Sequence, residues 1–136
     1  MKVSLRFVRQ RHGAAAVEFA LVAPVFLLVL LTLVAYAIYL SASHSLQQLA
    51  ADIARTAVSA TSQAERVDLV TQYMKSSSLS ELLDRTKVSV NVQPDPDNPS
   101  GFTVTASYDV GALPIWDLYT FPLPDRAIRK TIAVTM

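Results

Sequence analysis

One carboxylate in a long apolar stretch is the group of this sequence best placed to make a specific interaction. Glu18 is the only charged residue between Gly13 and Leu40, where most other side chains are apolar or small. Inserting a carboxylate into hydrocarbon costs about 3 kcal/mol, so such a residue usually has a function. An acid one turn into a helix can instead stabilise the helix dipole. Position alone leaves both roles open.

The other residue types do not form a recognisable reaction centre. The chain has no cysteine, which excludes disulfides, zinc–thiolate sites and thiol nucleophiles. His44 is the only histidine beyond residue 12, which favours a surface position over a metal ligand. Asp95 and Asp97 resemble the start of a calcium loop, but Ala106 stands where a glutamate is needed, which favours an ordinary turn. We therefore expect no enzyme, no metal and no cofactor.

The element that carries Glu18 is predicted to be a helix long enough to cross a membrane. Residues 19–40 contain no charge, and at about 1.5 Å each they extend roughly 33 Å, against about 30 Å for the hydrocarbon core. The apolar region of a cleavable signal peptide is shorter, about 7–15 residues. We therefore interpret this stretch as a transmembrane helix.

Charge predicts the orientation of this helix. Four basic residues and no acid precede Gly13, namely Lys2, Arg6, Arg9 and Arg11. The next basic residue is Arg55, so the positive-inside rule predicts cytoplasmic residues 1–13 and a translocated remainder. From Ala14 onward, 8 basic residues stand against 11 acidic ones. A surface for nucleic acid is therefore not expected.

Helical periodicity continues beyond Leu40. Leu46, Leu49, Ile53 and Ala57 recur at spacings of three and four, which predicts an amphipathic continuation and one helix of about 45 residues.

A second helix is predicted over about residues 63–75. Ser62 and Glu65 form a capping-box signal at its start. Its expected apolar face comprises Val67, Val70 and Met74. A shorter capping signal at 78–81 predicts a further turn.

The period then changes to two, which is typical of half-buried strands. Strands are predicted over 86–93 and 102–110, around a proline-rich turn, and a third ends the chain with Ile128, Ile132, Val134 and Met136 on one face. The expected fold class is α+β, with a long N-terminal transmembrane and amphipathic helix, a second helix and a small three-stranded antiparallel sheet. Trp116, Tyr119 and Phe121 precede the last strand, where a lid over the sheet and a partner surface both remain open.

The sequence RHGAAAVEFALVAPVFLLVLL, which begins at Arg11, resembles the N-terminus of TadE-like proteins, the minor pseudopilins of tight-adherence (Flp-type) pilus systems. It also fits the broader type IV prepilin pattern, a glycine followed by a glutamate at the fifth mature position. Glu18 followed by Phe19 is closer to the TadE-like subgroup than to the major Flp pilin, which has Glu-Tyr. The resemblance covers about residues 11–40 and leaves TadE and TadF roles open.

This resemblance implies cleavage by a prepilin peptidase between Gly13 and Ala14. The expected organisation is then a leader over 1–13, a transmembrane helix over 14–40 and a periplasmic α+β domain over 41–136. The protein would span the inner membrane once, and its presence in the pilus itself stays open.

The resemblance also implies an assembly role for Glu18 and Phe19, with Glu18 paired to the new N-terminal amine of a neighbouring subunit. Expected partners are the prepilin peptidase, other pilins and pseudopilins, and the inner-membrane assembly platform. The alternative is an uncleaved signal anchor that holds a periplasmic scaffold or binding domain.

Pro24 lies within the predicted span and lacks the N–H that would bond to the carbonyl of Ala20. We therefore expect a kink or a loosened turn. Local flexibility and a merely tolerated membrane-helix proline remain equally open.

Overall fold

The computed structural model describes residues 11–77, 83–98, 100–112 and 125–135. Its helices and strands are α1 (Arg11–Val58), α2 (Gln63–Ser76), β1 (Val88–Pro94), β2 (Phe102–Asp109) and β3 (Ala127–Val134), with short 3-10 turns at Arg85–Lys87 and Val110–Ala112. The predicted α+β class is confirmed. The chain divides into two compact units, Met1–Ala37 and Ile38–Met136.

The first unit contains the N-terminal part of α1. Its large apolar side chains lie exposed around the helix, as in Phe19, Leu21 and Leu33. Of the 18 consecutive residues of α1 that are most apolar, only 6% are buried, whereas the core helix of a soluble domain is mostly buried. Within the described part of the chain, this is the one helix long and apolar enough to cross a membrane, and it is compatible with a membrane anchor.

The second unit has a hydrophobic core built around the rest of α1. Leu46, Ile53 and Ala57 are fully buried and Leu49 is nearly so, which confirms the predicted stripe. They belong to one cluster with the inner face of the sheet. Spacings of three and four place these side chains on one side of the helix, so a single face is buried.

α2 begins with a variant of the predicted capping box. The backbone N–H of Glu65 donates to the Ser62 hydroxyl at 3.2 Å. The Glu65 carboxylate, however, accepts from both the backbone N–H and the hydroxyl of Thr61, each at 2.8 Å. These bonds stabilise the charged carboxylate and hold the pKa of Glu65 below its ordinary value.

The predicted apolar face of α2 is partly wrong. Val70 is buried, but Val67 is 46% exposed and Arg66 is 9% exposed. At about 100° per residue, the buried face is centred between Arg66 and Val70, and Val67 lies at its margin. Met74 packs against the core as expected, joined by Tyr73. Burial, together with the neighbouring Asp52 carboxylate, raises the pKa of Tyr73.

The three strands form the predicted antiparallel meander in the order β1-β2-β3. Val92 lies opposite Val104, which in turn lies opposite Ile132. β2 is central, and its inner face is buried throughout: Phe102, Val104, Ala106 and Tyr108. β1 begins two residues later than predicted because Arg85–Lys87 form a 3-10 turn.

The loop between β1 and β2 contains hydrogen bonds typical of turns. Asp95 accepts from the backbone N–H of Asp97, and Asn98 from that of Ser100, both at 3.0 Å. Gly101 follows, where an added Cβ would lie 3.2 Å from the carbonyl oxygen of Val134. A side chain at that position would press on the backbone of β3.

Several predictions fall on residues outside the described part of the chain. They concern the basic leader up to residue 10, the capping signal at 78–81, the aromatic segment that contains Trp116, Tyr119 and Phe121, and the last strand residue, Met136. Arg85, at the end of the predicted turn, donates to the carbonyl oxygens of Met74, Lys75 and Ser77 at the C-terminus of α2. A cation there complements the helix dipole.

Candidate processing and assembly site

Gly13 lies within α1, where none of the described residues around it requires a glycine. An added Cβ would meet no atom within 4 Å. Its φ angle is not positive, so the backbone does not require glycine either. Glycine in a helix costs about 1 kcal/mol relative to alanine. Neither packing nor backbone conformation within the described chain therefore accounts for this residue.

The residues that follow Gly13 are small and accessible. Ala14, Ala15 and Ala16 are all exposed. Ala14 lies four residues before Glu18, so the two occupy the same side of α1, one turn apart. The predicted cleavage position and the carboxylate are thus neighbours along one face.

The Glu18 side chain is exposed, and its carboxylate has no partner among the described side chains. No hydrogen bond or ion pair joins it to them. The residues one turn away are Ala14, Ala15, Leu21 and Val22, none of which offers a side-chain donor. Because α1 already begins at Arg11, Glu18 lies beyond the first turn of the helix, and that turn contains no acid. The dipole effect is confined to the first turn, so the described helix end does not account for Glu18.

Phe19 lies next to the carboxylate and is 74% exposed, more than the other exposed large apolar side chains of the described chain. A phenyl ring buries a large apolar area when it is covered. Lipid or a neighbouring helix would supply that cover here.

Pro24 lies inside α1, which is helical on both sides of it. Its ring removes one donor from the helical ladder, at the carbonyl of Ala20. The predicted kink stays a prediction.

Elsewhere, the described residues contain no group of three or more His, Cys, Asp or Glu side chains that could hold a metal ion. His44 is exposed, as expected.

A shallow polar depression on the outer face of the sheet is lined by Ser89, Val90, Asn91, Thr105, Ser107 and Arg129.

Sequence reasoning missed the buried cation Arg66. Its Nε donates to the carbonyl oxygen of Ala57 at 3.3 Å, and its Nη1 donates to Gln63 Oε1 at 3.1 Å. The guanidinium also lies 4.4 Å from the centroid of the Phe102 ring. Gln63 continues the network to the carbonyl oxygen of Val92 at 3.0 Å. No local signal marks this arginine, because an arginine in a first helical turn usually extends into water.

This network joins the end of α1, the start of α2 and the first two strands. A cation favours the C-terminal carbonyls of α1 through the helix dipole, and it favours the face of an aromatic ring. Arg66 therefore links α1, α2 and β2 at the point where these elements meet.

No curated protein and no solved structure matches this chain. Residues 13–55, however, match the family model described as TadE-like protein. The match begins at the candidate processing glycine, includes Glu18 and Pro24, and ends within α1, so α2 and the sheet lie outside it. From Gly13 to Arg55 the α1 helix is thus similar to TadE-like proteins, in agreement with the predicted resemblance.

Proposed function

We propose that this protein is a minor pseudopilin of a Tad (Flp-type, type IVb) pilus. α1 holds it in the inner membrane, and the second unit lies in the periplasm. The observation that carries the proposal is the arrangement of Gly13 and Glu18 within the TadE-like match, on a helix whose apolar surface is exposed.

The exposed apolar surface of α1 supports an assembly role. Each large apolar side chain left in water would forfeit about 1.5–3 kcal/mol of burial free energy. Lipid covers these side chains before assembly, and the helices of neighbouring subunits replace lipid in the assembled state. Phe19 and the residues around it would form part of that contact.

Gly13 supports processing by a prepilin peptidase. A protease needs an extended backbone at the bond that it hydrolyses, and glycine in a helix favours local opening by about 1 kcal/mol relative to alanine. The absent Cβ also allows close approach by the enzyme. Hydrolysis between Gly13 and Ala14 would remove the basic leader and leave a free amine on Ala14.

The new amine of Ala14 would be a counterion for the Glu18 carboxylate. A carboxylate and an ammonium group each cost free energy in an apolar environment, and pairing offsets part of both costs. In a bundle of parallel helices, Glu18 of one subunit would pair with the Ala14 amine of another and thereby fix their axial offset.

The intact mass of the protein isolated from cells with an active prepilin peptidase tests the processing step. We expect a chain that begins at Ala14. A Gly13→Val variant should keep residues 1–13, whereas Ala16→Val, which places the same side chain at a nearby exposed position, should still be cleaved.

An intact N-terminus in the unaltered protein would contradict the proposal. It would favour the alternative, an uncleaved signal anchor that holds a periplasmic scaffold or binding domain.

A further inference from the structure

The two edges of the sheet differ in what lies beside them. On the β1 edge, the side-chain amide of Gln63 donates to the carbonyl oxygen of Val92 at 3.0 Å. The backbone of Val92 therefore faces away from β2. α2 also contacts β1.

The bond between Gln63 and Val92 shows in which direction the backbone N–H and C=O groups of each strand point. In an antiparallel pair, successive residues direct their N–H and C=O groups alternately toward and away from the partner strand. Since Val92 faces outward, Asn91 bonds to its opposite residue, Thr105, and Val104 faces β3 instead.

The same alternation continues into β3, where Val104 lies opposite Ile132. The residues of β3 that face away from β2 are therefore Ala127, Arg129, Thr131 and Ala133. Bonds at both ends of the sheet agree with this assignment. The N–H of Asp95 donates to Gly101 at 3.0 Å, and that of Val110 donates to Arg126 at 2.8 Å.

The outer edge of β3 is open within the described part of the chain. No backbone hydrogen bond from another described segment reaches the outward groups of its four outward-facing residues. Such a row of free donors and acceptors is a template for one more strand. Gln63 closes part of the equivalent row on β1, and no described side chain does so on β3.

Charge indicates which kind of strand fits this edge. β3 contains Arg129 and Lys130 and no acid. Neither side chain forms an ion pair or hydrogen bond with a described residue. Because they are consecutive, they lie on opposite faces of the sheet. A second copy of β3 would bring like charges together, whereas an acidic strand would be attracted.

We propose that the outer edge of β3 binds an extended segment of a partner protein by strand addition. The segment carries two consecutive acidic residues, one beside Arg129 on the outer face and one beside Lys130 on the inner face. Apolar residues on its inner face cover the exposed part of Ile132, which is only half-buried. This inference does not depend on cleavage at Gly13 or on the role of Glu18.

The test uses the full-length protein in lipid nanodiscs and a fluorescent nine-residue peptide of alternating valine and threonine with Glu-Asp at its centre. We expect fluorescence anisotropy to show that it binds at least about tenfold more tightly than the same peptide with Lys-Lys at its centre. The amides of the four outward-facing β3 residues should exchange with solvent quickly in the free protein and slowly in the complex.

Two controls separate strand addition from general charge attraction. Methylating the peptide nitrogens that face β3 should abolish binding, whereas methylating those that face away should not. A Thr131→Pro variant, which removes one outward N–H, should bind at least about fivefold more weakly than Thr131→Ala, which keeps it.

Equal binding of the acidic and basic peptides, or of the two methylated peptides, would overturn the proposal. Slow exchange of the four amides before any peptide is added would also overturn it, because another segment of the chain or a second copy would then already cover the edge.

Discussion

α1 is one helix with two different surroundings. In the first unit, Phe19 and Leu30 are exposed to the extent of 74% and 43%, and apolar side chains surround the helix. In the second unit, Leu46 and Ile53 are fully buried, and polar side chains occupy the opposite face. Hydrophobicity alone therefore does not define a core. The stripe of the second unit is covered by its own chain, whereas the apolar surface of the first requires lipid or other helices.

The largest expected effect comes from making the same truncation in both parts of the helix. Leu46→Ala should lower the free energy of unfolding of the second unit by about 2–5 kcal/mol, because it removes buried methyl groups and leaves a cavity. Leu30→Ala should change it by less than about 0.5 kcal/mol. Denaturant unfolding of the protein in detergent, followed by near-ultraviolet circular dichroism, measures both. Similar losses in the two variants would contradict the distinction between the two parts of α1.

A smaller effect should follow from the cation at the end of the helix. Arg66→Met should destabilise the second unit by about 2–3 kcal/mol, because Ala57 and Gln63 lose their hydrogen-bond partner and Phe102 loses the stacked guanidinium. Arg55→Met is the matched control, since the Arg55 side chain is 81% exposed. Its ion pair with Asp52 should contribute less than about 1 kcal/mol. The same unfolding measurement compares them, and equal effects would show that burial of Arg66 adds nothing.

The third prediction concerns the Glu18 carboxylate in the first unit. Glu18→Gln should stay in the membrane and be processed, yet co-purify with other pilins at about one tenth of the wild-type level, since a loss of about 1.4 kcal/mol lowers an association constant tenfold. Glu18→Asp, which keeps the charge, should retain more. Quantitative pull-down from detergent-solubilised membranes measures both variants. Normal co-purification of Glu18→Gln would show that assembly does not need the Glu18 carboxylate.

Features set by neighbouring residues could be predicted from the sequence. The length of α1 follows from an uninterrupted helical pattern, and the start of α2 follows from Ser62 and Glu65, although the carboxylate bonds to Thr61. Alternation of valines with polar residues identified β1. The candidate processing and assembly residues also belong to one short segment, so their spacing could be seen without a structure.

The remaining features depend on residues far apart in the chain. The buried face of α2 is centred near Arg66 instead of Val67 because α2 packs where Ala57 and Phe102 meet. Likewise, Gln63 is 29 residues from Val92, and their bond is what distinguishes the β1 edge from the β3 edge.

The sequence by itself determined the elements, the membrane-compatible helix and the Gly13–Glu18 arrangement, because hydrophobic period and capping act over one or two turns. Only the tertiary structure decided which polar groups are buried and which sheet edge is open within the described part of the chain, because these depend on which distant segments pack together.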